Sequence, residues 1–229
     1  MATPRTTPSA ADRAYRHLRT LLVDGSLKPG QFLVEQDVAA KIGVSRTPVR
    51  EALSRLHTEG LIDWEDRRRA VVRAFDEAEI DECFELRALW EGYAAGRAAS
   101  RIGAPDLMQL KKLAEAMERT VDRGGINAAT RFAALNDEFH DVIVVAAGSA
   151  RLRELARPLL QVQLVLARRF RAAIESHLKR SCQHHREIIA ALEARDPSWA
   201  ESQMRTHLLA ARNPTSRDAA NKTGRRRET

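Results

Sequence analysis

Cysteine is almost missing from this chain. Of 229 residues only Cys83 and Cys182 carry a thiol, and there is no Cys-x-x-Cys pair. A disulfide framework is thereby excluded, and the usage fits a reducing cytoplasm. Both cysteines fall in helical patterns and are expected as buried packing residues. Long apolar runs are missing too. The longest, Val142 to Gly148, is far below the ~18 residues a membrane-spanning helix needs. The first 11 residues are rich in Thr, Pro and Ala and have no apolar centre. They exclude a secretory signal and read as a disordered arm. There is no His-Glu-x-x-His, no Gly-x-Ser-x-Gly and no phosphate-cradling glycine loop, which leaves an enzyme without its usual machinery. No internal repeat is present.

What is there is basic charge, unevenly placed. The net charge is +7. Residues 1–75 hold 13 Lys/Arg against 9 Asp/Glu, residues 76–211 hold 19 against 20, and residues 212–229 hold 6 against 2. The excess sits at the two ends, and a basic N-terminal pole suits attraction to phosphate.

The most telling segment is Gly43-Val44-Ser45-Arg46-Thr47-Pro48-Val49-Arg50-Glu51-Ala52-Leu53. Gly43 supplies a flexible turn and Ser45 is a good N-cap. Val44, Val49, Leu53 and Leu56 recur near helical spacing and would face a core. Ser45, Arg46, Thr47 and Arg50 are left on the first turn and a half, pointing outward. A helix that enters the DNA major groove by its N-terminal end has this form. Upstream, Ala14 to Val23 reads as a helix with Leu18, Leu21 and Leu22 inward, and Pro29-Gly30 as a turn. A second helix is expected over Glu35 to Ile42, and the third ends near Gly60, a C′ residue. Leu61 to Trp64 and Ala70 to Phe75 read as two strands joined by a turn at Glu65 to Arg69. Three helices and a basic-tipped hairpin make a winged helix-turn-helix over residues 12–75.

That order of elements, and the run GVSRTPVREALSRLHTEGLI, resembles the GntR family of bacterial transcriptional regulators. The resemblance implies that Ser45, Arg46, Thr47 and Arg50 meet operator DNA, with the wing arginines Arg67, Arg68 and Arg69 beside them. The wing departs from the family, whose members carry Gly near the hairpin tip.

From Asp76 onward strand alternation disappears and Gly and Pro become sparse. Helices are expected over Glu77–Ser100, Pro105–Arg123, Asn127–Ala147, Ala150–Glu175 (with a kink at Pro158), His177–Ala194 and Pro197–Arg212. On the first of these Ile80, Phe84, Leu86, Leu89, Trp90 and Tyr93 form the apolar set. Short connections argue for an antiparallel bundle over residues 76–212. The polar, charged tail 213–229 is expected to be disordered. The fold class is mainly α: a winged helix-turn-helix with a small β-hairpin, then an all-α bundle.

Three of the seven histidines stand out. Asn136 and His140 are four apart and share a helix face. His185 and His207 lie on two further helices. Three neutral imidazoles and one oxygen suit zinc, nickel or manganese. On spacing alone, unrelated core or surface histidines are the commoner case. The segments NDEFHDVIVVAAGSARL and HREIIAALEARDPSWAESQMRTHL resemble the FCD ligand-binding domain of the FadR subfamily. That resemblance implies metal ligation by Asn136, His140, His185 and His207, although many members have Asp where Asn136 stands. His184 is the neighbour that could replace His185, but it would point about 100° away. The resemblance also implies a small carboxylate effector that reaches the metal. Arg87, at the family's early-helix arginine, would pair with it bidentately; the alternative is a structural salt bridge to Glu91, its i+4 neighbour.

The expected function is a metabolite-responsive repressor of the cytoplasm that holds a palindromic operator as a homodimer, with no membrane partner. Its rivals are a metal-dependent enzyme and a regulator for which the ion itself is the signal.

Overall fold

The computed structural model describes residues 8–66, 69–125, 128–154 and 175–212. The wing arginines Arg67 and Arg68, the expected kink at Pro158, the tail from 213 and most of the N-terminal arm lie outside the described residues. Contacts divide the chain into two compact units, one up to Phe75 and one from Asp76.

The first unit begins with α1, Ala10–Asp24. Its N-cap Ser9 accepts a hydrogen bond from the Asp12 N–H, so Ala10 and Ala11, expected in the arm, form the first turn. After β1, Phe32–Val34, come α2, Glu35–Ile42, and α3, Arg46–Thr58. The turn between α2 and α3 rests on Gly43, which caps α2 at φ 72°, a conformation that favours glycine. Strands β2, Ile62–Asp66, and β3, Arg69–Val72, follow. The expected two-stranded wing is a three-stranded antiparallel sheet in the order β1-β3-β2. Its extra strand has only Leu33 turned inward and pairs with Ala70. Three residues are too few for alternation to register in the sequence. Leu18, Leu22, Val49, Leu53, Leu56 and Ile62 are sealed in one core with the inner side chains of the sheet. Each such side chain contributes about 1.5–3 kcal/mol by burial.

The second unit contains α4, Glu77–Ala99, α5, Ala104–Arg123, α6, Ala128–Ala146, α7, Glu175–Glu193, and α8, Pro197–Arg212. A capping box starts α4: the Asp76 carboxylate accepts from the Glu79 N–H at 2.8 Å, and Glu79 accepts from the Asp76 N–H at 3.1 Å. Helix α4 packs along α8 and also against α6. Gly92 and Gly96 make that approach close. A Cβ at Gly96 would stand 3.0 Å from the Pro197 carbonyl oxygen, and one at Gly92 2.5 Å from the Arg205 Cγ. This packing carries the inner side chains of α4 up to those of α6 and α8.

The inner face of α4 is only partly the one its large residues mark: Ile80 and Phe84 are buried and Trp90 packs against the core. Leu86, Leu89 and Tyr93 are exposed, while Arg87 and Glu91 are buried among Ala88, Ala94, Ala95 and Ala98. Small residues let the neighbouring helices come near, and two charged side chains take the remaining space. Cys182 is buried as expected; Cys83 is only half-buried.

Candidate DNA-reading surface and candidate metal centre

On the first unit, the buried stripe Val49, Ala52, Leu53 and Leu56 fixes which side of α3 turns inward. Ser45, Arg46, Thr47 and Arg50 are consequently exposed together. Ser45 occupies the N-cap position, but its hydroxyl makes no capping hydrogen bond, contrary to the role the sequence assigned it. Arg46 Nη2 donates to Glu35 Oε2 at 3.1 Å, and Arg50 Nε lies 3.7 Å from Glu35 Oε1. Glu35 had no distinguishing signal in the sequence, because a first-turn acid is ordinary in any helix. In the wing, Arg69 belongs to β3 and not to the turn. Its guanidinium pairs with Glu65 at 3.1 Å and lies over the Phe32 ring.

In the second unit, His140 on α6, His185 on α7 and His207 on α8 converge. All three are buried, and one nitrogen from each lies within 4.8 Å of the others. His140 Nε2 and His207 Nε2 are 3.2 Å apart. Two nitrogens bound tetrahedrally to zinc are separated by about 3.3 Å, so this spacing fits a shared cation. His184 is only partly buried; it meets the His207 ring edge-on and stays outside the trio. Asn136 is buried one turn before His140.

Glu91 completes the arrangement. His140 Nδ1 hydrogen-bonds Glu91 Oε2, and Arg87 Nε donates to Glu91 Oε1 at 2.6 Å. Burial alone would raise the Glu91 carboxyl, but the Arg87 guanidinium and the His140 imidazole that hydrogen-bond it outweigh the burial and hold the group at about 2. An ionised Glu91 accepts from His140 Nδ1, and this orients the ring so that Nε2 faces His207. Burial, and then the neighbouring imidazoles, push His185 and His207 well below the ordinary histidine value, so both are neutral imidazoles at pH 7.

Several buried polar atoms here have no hydrogen-bond partner among the described residues: both ring nitrogens of His185, Nδ1 of His207, and Nη1 and Nη2 of Arg87. Each such atom costs about 1–3 kcal/mol if nothing meets it. The imidazole nitrogens suit a divalent transition metal, and the two terminal guanidinium nitrogens of Arg87 suit an anion. The salt bridge from Arg87 to Glu91 and an anion-binding role are therefore compatible, since the first uses Nε and the second would use the Nη groups. The sequence marked Glu91 as a partner of Arg87; its bond to His140, 49 residues away, required the fold.

Residues 10–72 match the model of the bacterial regulatory proteins of the gntR family, and residues 82–210 match the FCD domain. A probable D-xylose utilization operon transcriptional repressor of Paenarthrobacter nicotinovorans is 33% identical over 82% of this chain and 81% of its own. The transcriptional repressor RspR of Escherichia coli K12 is 29% identical over 85% and 83%. The gluconate operon transcriptional repressor of Bacillus subtilis is 29% identical over 82% and 77%. In fold, the chain is similar to E. coli McbR/YncC, with a TM-score of 0.76 and 24% identity over 88% of this chain and 94% of that one. Among the described residues no helix is long and apolar enough to cross a membrane. The chain belongs to the gntR family of bacterial regulatory proteins, with an FCD domain behind its DNA-binding domain, and is a transcription regulator, not an enzyme.

Proposed function

We propose that this chain is a metabolite-responsive repressor that holds a palindromic operator as a homodimer and releases it when a small carboxylate binds the helical unit. The reading is carried by three buried imidazoles in the same bundle as a buried Arg87 whose two terminal nitrogens have no hydrogen-bond partner among the described residues. His140, His185 and His207, with Asn136 as oxygen donor, would hold a divalent metal, with zinc first and nickel or manganese as alternatives. When bound, the metal supplies a Lewis-acidic cation for a carboxylate. Glu91 holds His140 in the tautomer that leaves Nε2 free. Arg87 keeps Nε on Glu91 and offers Nη1 and Nη2 to the effector. The buried setting strengthens both contacts by keeping water out.

On the DNA side, Arg46 and Arg50 carry the donors suited to guanine O6 and N7 in the major groove. Ser45, Thr47 and the wing arginines Arg67, Arg68 and Arg69 fix position on the backbone. Dimerisation through the helical units would present two α3 helices to successive half-sites. The effector acts only to the extent that it binds the DNA-releasing pose better than the DNA-holding one. Relatives that act as repressors of xylose and gluconate operons support repression as the output.

Genomic fragments bound by the purified protein would be selected and sequenced, and small carboxylates then tested for release of the winner. A sharply enriched palindrome is expected, with about one metal per protomer. Binding without enrichment that vanishes at moderate salt would reduce the DNA contact to nonspecific phosphate attraction and sink the reading. Release by chelation alone, with no carboxylate added, would make the ion itself the signal.

A further inference from the structure

Among the described residues of the DNA-binding unit, Glu35 is the one buried charged residue. Its side chain is 7% exposed, and its two oxygens face one arginine each. A buried carboxylate is costly unless its partners repay the lost hydration. Those partners, Arg46 and Arg50, are 65% and 64% exposed. Ion pairs whose cations stay in solvent contribute little to stability. The burial of Glu35 is therefore poorly explained as a device for holding α2 to α3.

The geometry has a different consequence. Arg46 and Arg50 stand one turn apart on α3, where two like charges repel. A shared carboxylate lets them sit side by side in fixed directions. Arg46 is held by Nη2, which leaves Nε and Nη1; Arg50 is held near Nε, which leaves both Nη groups. A base edge is read only by a guanidinium of defined direction, whereas phosphate attraction follows net charge and ignores direction. A fixed negative charge beneath the two arginines helps the first and opposes the second.

We propose that Glu35 sets operator specificity as a positioning residue: it aims Arg46 and Arg50 and suppresses their indiscriminate hold on DNA. This rests on α3 being the operator-reading helix. The test compares the wild-type full-length protein with Glu35→Gln, Glu35→Asp and Arg46→Ala. Each is titrated with the most enriched genomic duplex and with a shuffled duplex of equal length, over a series of salt concentrations, and each is melted.

For Glu35→Gln, the ratio of specific to shuffled affinity should fall by about tenfold or more. Affinity for the shuffled duplex should stay equal or rise, with the melting temperature nearly unchanged. Glu35→Asp, which keeps the charge on a shorter arm, should fall between and serves alone if the Gln variant does not fold. Parallel loss of both affinities at constant ratio would mean a merely structural role and overturn the proposal, as would no change in either. Failure of the reading beneath it has a separate sign: Arg46→Ala would then leave affinity for the enriched duplex untouched.

Discussion

In the DNA-binding unit the important cations stand on the outside of α3, and a single acid beneath them is buried. In the helical unit Arg87, Glu91, His140, His185 and His207 are all sealed inside. The difference matches the size of the ligand that the proposed function gives each unit. A duplex is large and wet and must be approached by a surface, so the cations can stay outside and the core holds no buried charge among its described residues but Glu35. A small anion can be engulfed, and the bundle then carries buried charge that only mutual pairing makes tolerable. The helix starts repeat the contrast. Asp76 spends its carboxylate on closing α4, whereas Ser45 leaves the end of α3 open.

The largest expected effect lies in the buried pair. Glu91→Gln strands the Arg87 charge in the bundle and should destabilise the helical unit by about 3–5 kcal/mol. Chemical unfolding followed separately in each unit checks this, and a loss shared equally by the DNA-binding unit would break the contrast. Acid should act on the same unit. His185 and His207 stay neutral in the fold but take up protons when unfolded, so the unfolded chain binds more protons and stability falls as pH drops below about 6.5. The Glu91 contribution is present above its ordinary 4.5 and is lost as pH falls through about 2. Melting of chelator-treated protein from pH 8 to 3 should show the helical unit weakening first. His17 and His57 of the other unit are both exposed.

Next in size, His185→Ala should weaken metal retention by about 100-fold or more, as read by elemental analysis after dialysis. Full retention would shift the site, with His184 the first alternative. Arg46→Ala should cost about 1–3 kcal/mol of operator affinity with the melting temperature held. The smallest pair concerns the caps. Asp76→Ala should destabilise by about 1 kcal/mol, and Ser45→Ala by less than about 0.5, because only the first loses a capping bond.

The reach of the sequence differed between the two units in the same way. Helix α3 and its outward residues were legible because an apolar stripe marks the inner face, and whatever is polar must then face out. The same rule was only half right for α4: Ile80 and Phe84 are buried as the pattern asks, but Leu86, Leu89 and Tyr93 carry the same apolar signal and are exposed, while alanines and two charges take the rest of the inner face. Strand β1 escaped notice because a three-residue strand is held by its hydrogen-bond partner and not by its own pattern.

By itself, the sequence determined the helical periods, the turn at Gly43, the family motifs and the residue types able to bind a metal or an operator, since all of these are local. Only the tertiary structure decided that Glu91 would meet His140, that three imidazoles from three helices would share one space, and that Glu35 would lie beneath two arginines. Those are contacts between elements. They depend on how closely helices approach and how they are rotated, which side-chain packing fixes and no local spacing encodes.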